Sequence, residues 1–385
     1  MKFLRLILKN LLRNKRRTFL TVSSIAISMF LIATLETILT ELNNPPETPD
    51  SALRLVVRHR ISLFNALPAA YRQKIAQIEG VEAVIGSMWF GAIYKDPSNF
   101  FASFVVDADQ FFDVYPDLKI SEEEKEAFIR DRTGALVGSQ LARRFGWKIG
   151  DKLFLDSNTW PISIEVTIRG IYEGGADEGS TLYLHWDYYN ELLKAQYGQW
   201  DNTGTFMVRV KSPELVPVVA EQIDQMFRNS TAPTKTETEK AFLLSFVSML
   251  GDVQLLITSI VSVVIFAVVL VAANTMAMSI RERTREIGVL KALGFRRTQV
   301  LWLLVGESLV LAMTGVALGA FTARGLFSSL DMATITAGFL SSFDVTNGTI
   351  LFCLGIGVLI GAAASIVPAW QAARRPTVEA LRSVV

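Results

Sequence analysis

Four stretches of this chain are apolar over the length of a bilayer, and one long polar stretch separates the first from the other three. A membrane helix needs about 20 apolar residues. Thr18 to Thr40 qualifies, with Glu36 near its far end. Val253 to Ile280 carries no charge, Val300 to Ala323 is interrupted only by Glu307, and Ile350 to Ala373 is again uncharged. Glu41 to about Lys240 is too polar to span. The pattern predicts an α-helical membrane protein with four transmembrane helices and an α+β extracytoplasmic domain inserted between helices 1 and 2.

Apolar and turn signals divide the chain further. Segment 1–17 is basic and amphipathic, 18–44 is the first transmembrane helix with a stalk, and 45–235 is the outer domain, with an inserted subdomain at about 101–200. Residues 236–280 form a stalk and the second helix, and 281–298 a cytoplasmic coupling helix. The third helix is 299–323, an outer loop 324–349, the fourth helix 350–373 and a tail 374–385. Ahead of the second span, Thr236 and Glu239 have capping-box spacing, and Phe242, Phe246 and Leu250 make one stripe. A helix projecting above the membrane is expected there; a helix lying flat on the membrane surface is the alternative.

In the outer domain, "LRLVVR" (Leu53 to Arg58) reads as a strand, followed by a helix, a stop at Gly80 and a second strand. "TFMVRVKSPELVPVVAEQIDQMF" repeats strand then helix. Two such units suggest one subdomain built from both chain ends. "WPISIEVTIRGIYE" reads as a strand pair or one long strand. His59 and His185 have no obvious partners. Asp177 and Glu178 suit a solvated turn better than a cation site, and the aromatics of "HWDYYNELLKAQYGQW" suit core packing better than a contact surface.

Charge sets the orientation. Half of the 385 residues are hydrophobic and 19% are charged, a membrane protein's balance, and the net charge of +1 gives no footing for nucleic acid. Lys and Arg favour the cytoplasmic side. Seven lie between Met1 and Arg17 with no acid, others cluster between spans two and three, and Arg374, Arg375 and Arg382 follow span four. Asp331 to Gly348 has none. Both termini are therefore expected in the cytoplasm and the large domain outside, in a multi-pass protein of the cell's inner membrane. No small-residue cleavage site follows the first span, so it reads as an uncleaved anchor. A lone Cys353 forms no intrachain disulfide, and two histidines with one cysteine make no His/Cys metal site. No phosphate-loop or G-x-G-x-x-G motif is present, so no cofactor is expected on this chain.

Gly315 with Gly319 and Gly357 with Gly361 are G-x-x-x-G pairs, and Ser24 with Ser28 is a small-xxx-small pair. Packing of the hairpin within one subunit is the simpler reading for the glycines, a dimer face the other; the serines are candidates for a partner helix. Glu307 suits a structural ion pair or hydrogen bond, or a transport role.

Between spans two and three, "SIRERTREIGVLKALGFRR" is densely charged. Glu282 and Glu286 are four apart, with Leu290 at the next turn and Leu293 beyond it. Arg283 with Glu286 and Glu282 with Arg285 are spaced to pair, and Gly294 suits a left-handed helix end. An acid-and-leucine strip fits the groove of a protein partner; a headgroup anchor would account only for the arginines.

"ANTMAMSIRERTREIGVLKALGFRRTQV" (Ala273 to Val300) closely resembles the signature of the MacB/FtsX-like permeases, the type VII ABC transporters. The matching residues are Asn274, Arg283, Arg285, Glu286, Ile287, Gly288, Leu290, Ala292 and Gly294. "VPAWQAARRPTVEALR" (Val367 to Arg382) and "LRLILKNLLRNKRRTFLT" also look like that family's termini. The resemblance implies a separate cytoplasmic ABC ATPase holding ATP and magnesium, a second permease subunit, identical or not, and a periplasmic adaptor as a further partner. It implies ATPase coupling through Arg281, Glu282, Arg283, Arg285, Glu286, Ile287, Gly288, Leu290, Lys291, Leu293, Gly294 and Phe295. The expected function is mechanotransmission to the outer domain, driving export or extraction of a hydrophobic or peptide-like substrate. A transmitter regulating extracytoplasmic cell-wall hydrolases is the alternative. A membrane-bound enzyme is disfavoured, since no nucleophile–base set is visible.

Overall fold

The structure is a computed structural model. It describes residues 13–44, 47–175, 179–198, 201–249, 251–330, 343–374 and 376. The chain forms two compact units, divided near Glu41 and Gly251.

The membrane unit holds four long apolar helices, Lys15–Asn43, Val253–Glu282, Arg297–Ser329 and Asn347–Arg374. At 1.5 Å per residue, the 29-residue first helix is about 43 Å long, more than the hydrocarbon core requires. All four helices contribute to one core, with Ile25, Met29 and Ile32 meeting Val261, Val316, Ala320, Ile356 and Ile360. Lipid offers no hydrophobic drive for helix association, so close backbone approach must supply it. A Cβ at Gly315 would sit 2.7 Å from Ile25 Cβ, and one at Gly319 would overlap the Ala26 carbonyl. A Cβ at Gly357 would sit 2.5 Å from Val316 Cγ2, and one at Gly361 3.0 Å from Leu309 Cα. Both pairs are thus occupied within the chain. Gly315 and Gly319, however, pack against the first helix and not within the hairpin. Ser24 and Ser28 are half-buried beside Ile25 and Met29. Cys353 is buried in the core.

The outer unit is a large mixed sheet carrying helices, with a separate pair of two-residue strands, Leu67–Pro68 and Asn202–Thr203. Arg54–His59 pairs antiparallel with Thr205–Val210 on one side and Thr234–Thr238 on the other. Val81–Trp89 joins beyond Thr205–Val210. Val219, Ile223 and Phe227, four residues apart on the helix Val216–Phe227, lie against Leu55, Val57, Phe206 and Val208 of the sheet. Each such fully buried side chain contributes roughly 1.5–3 kcal/mol. This is the subdomain expected from both chain ends.

The middle segment, expected as an inserted subdomain, continues the same sheet. Ser103–Val106 pairs directly with Val81–Trp89, and the sheet continues through Leu182–His185, Gly134–Gly138, the single long strand Ser163–Gly174 and Lys152–Ser157. One cluster joins Val56, Ile85 and Met207 of the base to Phe111, Phe128 and Tyr183 of the middle. Tyr189 is buried in a neighbouring core. His185 Nε2 donates to the Phe128 carbonyl at 2.5 Å, and His59 lies in a different strand. Asp177 and Glu178 lie outside the described residues.

The segment before the second span also differs. Thr234–Thr238 is a strand and the helix begins at Glu239, so the expected Thr236–Glu239 capping box does not form. Thr236 bonds Asp224 instead, and Thr238 Oγ1 accepts from Ala241 N. The helix Glu239–Met249 is separate from the membrane helix. Gly251 has φ +98°, a left-handed conformation that ends a helix, and Asp252 Oδ1 caps the next one by accepting from Leu255 N.

A candidate coupling connector

The second membrane helix continues to Glu282, where Arg283 leaves the helical region at φ −108°, ψ 14°. A nine-residue helix, Thr284–Ala292, follows. The coupling helix is therefore shorter than the 281–298 expected. Its end is a Schellman motif: Gly294 N–H donates to Lys291 O, Phe295 N–H donates to Leu290 O, and Gly294 has φ +94°.

Ion pairs hold the connector from one side. Arg17 reaches Glu282 at 2.6 Å and Ser279 Oγ at 3.0 Å, and Arg13 pairs with Glu286. Arg283 bridges Glu286 at 3.1 Å and Glu307 at 2.7 Å. Glu307 is 4% exposed at its side chain, so it requires the partner it has. Burial acts to raise the Glu286 carboxyl, but hydrogen bonds from Arg13 and Arg283 outweigh it and hold the group below its ordinary value. Burial acts to lower Arg283, and Glu307 and Glu286 reverse that. Lys291 donates to the Ala373 and Ala372 carbonyls at 2.8 and 3.3 Å, tying the connector to the end of the fourth helix.

Packing fixes the remaining inward positions. Ile287 and Gly288 are buried, Ile287 among Met276, Ile280, Val300 and Ala369. Phe295 packs on the same cluster, and Leu290 lies against Leu303. The exposed positions are Arg281, Glu282, Arg285, Val289, Ala292, Leu293 and Gly294, with Leu293 73% exposed. The face offered to solvent is thus Arg285, Val289, Ala292 and Leu293, at spacings of four, three and one. Of the acid-and-leucine strip, Glu282 and Glu286 are ion-paired yet 43% and 41% exposed at their side chains, and Leu290 is half-buried. Glu282 pairs with Arg17, in place of the Arg285 expected from spacing.

The match to known proteins covers both units. The MacB-like periplasmic core domain family matches residues 18–226, over half the chain, and the FtsX-like permease C-terminal family matches residues 258–377. The chain belongs to the MacB/FtsX-like ABC transporter permeases. The uncharacterized ABC transporter permease YvrN of Bacillus subtilis is 24% identical over 71% of this chain and 68% of that protein. The macrolide export ATP-binding/permease protein MacB of Neisseria gonorrhoeae is 24% identical over 60% of this chain and 37% of that protein. The extracellular domain of the noncanonic ABC-type transporter YknZ from Gram-positive bacteria is similar over 48% of this chain and 98% of that domain, at 12% identity and a TM-score of 0.35. As a MacB/FtsX-like permease the chain is a multi-pass membrane protein with an extracellular domain, and its family implies an ATPase partner.

Sequence reasoning does not single out Arg13, Arg17 and Glu307 as parts of this permease's connector. A signal exists for the arginines. They are four residues apart, as are Glu282 and Glu286, so the two spacings match pair for pair.

Proposed function

We propose that this permease couples ATP hydrolysis in a separate cytoplasmic ATPase to conformational change of its outer domain, with the connector as the point of entry. The driven process is export or extraction of a hydrophobic or peptide-like substrate. The complex contains a second permease subunit and accepts a periplasmic adaptor, ATP and magnesium stay with the ATPase, and both termini lie in the cytoplasm of a cell whose inner membrane holds the protein. The observation that supports this reading is the division of the connector into two sides. Glu282, Arg283, Glu286 and Lys291 are committed to the protein's own helices, while Arg285, Val289, Ala292 and Leu293 remain outward. An amphipathic helix clamped from behind presents its free face without the entropic cost of ordering it on binding.

The test is ATPase stimulation in the reconstituted complex. Leu293→Glu is expected to lower it at least tenfold, since a charge replaces an apolar anchor, with membrane insertion unchanged. Gly294→Val is expected to do the same by straining a left-handed position. Full stimulation in both variants would refute the connector's role.

A further inference from the structure

A pocket opens where the second membrane helix passes into the connector, lined by residues of both. Ala277, Ile280, Arg281 and Thr284 recur at three and four residues, and Pro368 and Gln371 of the fourth helix face them. The space is about 540 Å³ counting its open mouth. Its lining divides by chemistry: Ala277, Ile280 and Pro368 are apolar, and Arg281, Thr284 and Gln371 are polar.

Arg281 is the informative member. Arg13, Arg17 and Arg283 all have carboxylate partners, but Arg281 is exposed and has no ion pair among the described residues. Thr284 Oγ1 donates to the Ile280 and Arg281 carbonyls, so its lone pairs remain available and its proton does not. Gln371 is exposed and offers an amide donor. A ligand that satisfies Arg281 and Gln371 carries negative charge and acceptor oxygens at one end, and Thr284 offers it no proton.

The surroundings give the other end. Met278, Ile366 and Val367 are 58%, 52% and 59% exposed at this end of the same two helices, a surface suited to acyl chains. The Arg374 guanidinium stacks 4.0 Å from the Trp370 ring centre, and an aromatic beside a cation marks the headgroup level of a membrane helix. We propose that this pocket binds an anionic phospholipid, with its phosphate on Arg281 and Gln371 and an acyl chain along Ala277, Ile280 and Pro368. The lipid joins the end of the second helix and the start of the connector to the fourth helix. The assignment stands independently of the coupling role.

The experiment is native mass spectrometry of the delipidated full chain in detergent, titrated with phosphatidylglycerol or phosphatidylcholine. Phosphatidylglycerol is expected to bind with preference. Arg281→Gln is expected to weaken it about fivefold, the worth of one interfacial arginine. Gln371→Leu should weaken it less, and Arg16→Gln, which removes an exposed charge outside the pocket, should leave it unchanged. Gln371→Leu keeps the test open should Arg281→Gln fail to fold. Equal binding of both lipids, undiminished binding in both pocket variants, or displacement by millimolar inorganic phosphate would each overturn the assignment, the last by identifying a free-phosphate site.

Discussion

At the scale of single residues, buried charge decides most of what is specific to this permease. Glu307 lies inside an apolar span, where spacing alone leaves an ion pair and a transport role both open. Arg283 at 2.7 Å settles its partner. Removing one member of a buried pair leaves the other uncompensated, at roughly 3–5 kcal/mol. Glu307→Ala should therefore lower the melting temperature of the purified protein strongly, while Glu307→Gln, which still accepts from Arg283, should lose much less. Equal losses would mean that packing, not charge, is what Glu307 supplies. His185 gives a pH-dependent counterpart in the outer domain. Burial holds its pKa below the ordinary 6.5, and the hydrogen bond to the Phe128 carbonyl only partly opposes this. The fold thus favours the neutral ring. That stability is complete above pH 6.5 and is lost as pH falls from there toward the folded value. Outer-domain unfolding, followed from about pH 7.5 to about pH 5.5, should show this loss, and His185→Gln should flatten it.

At the scale of elements, legibility in the sequence depends on whether a local signal has a long-range competitor. The four spans stand out because no other arrangement tolerates 20 or more apolar residues in water, and each helix runs only a few residues past its apolar core. The long strand Ser163–Gly174 alternates buried and less buried positions, a period readable from sequence. Thr234–Thr238 is hidden because capping-box spacing favours a helix, whereas pairing with Arg54–His59 wins it for the sheet. The connector's break at Arg283 is equally hidden, since the arginine's buried partner, Glu307, lies 24 residues on. The glycine pairs are visible as motifs but not as to which helix each meets. Gly319 is the sharper case. Any side chain there meets the first helix's backbone, so Gly319→Val should separate the first and third helices and abolish folding into a stable unit. Gly325, on the same helix with no neighbour within 4 Å of an added Cβ among the described residues, should accept alanine at the cost of a surface substitution. Thermal unfolding of both variants in detergent distinguishes a contact requirement from general helix propensity.

At the scale of the whole molecule, any motion delivered to the outer domain through the helix Glu239–Met249 must pass from that helix into the sheet, and one buried arginine lies across the junction. Arg54 is fully buried in the first strand. It reaches Glu239 at the helix start at 2.7 Å and Asp117 of the middle segment at 2.8 Å, and its guanidinium lies 4.7 Å from the Tyr115 ring centre. Burial alone would lower the Arg54 pKa; Glu239, Tyr115 and Asp117 raise it instead, so the cation is held at every accessible pH. Arg58 repeats the arrangement further along the strand, pairing with Glu237, which also accepts from Ser245 of the helix. The helix is thus tied by charge to one side of the sheet and to the middle segment at once, and apolar packing there is slight, with Phe242 its member of the adjoining core. Arg54→Met removes the shared cation and strands two carboxylates, a loss of roughly 3–5 kcal/mol. If coupling crosses this junction, Arg54→Met should leave nucleotide-driven ATPase turnover near normal in the reconstituted complex while substrate export falls by an order of magnitude. The compensated variant Arg54→Met/Glu239→Gln/Asp117→Asn should recover fold stability without recovering export. Recovery of both together would reduce Arg54 to a folding residue and place the transmission path elsewhere.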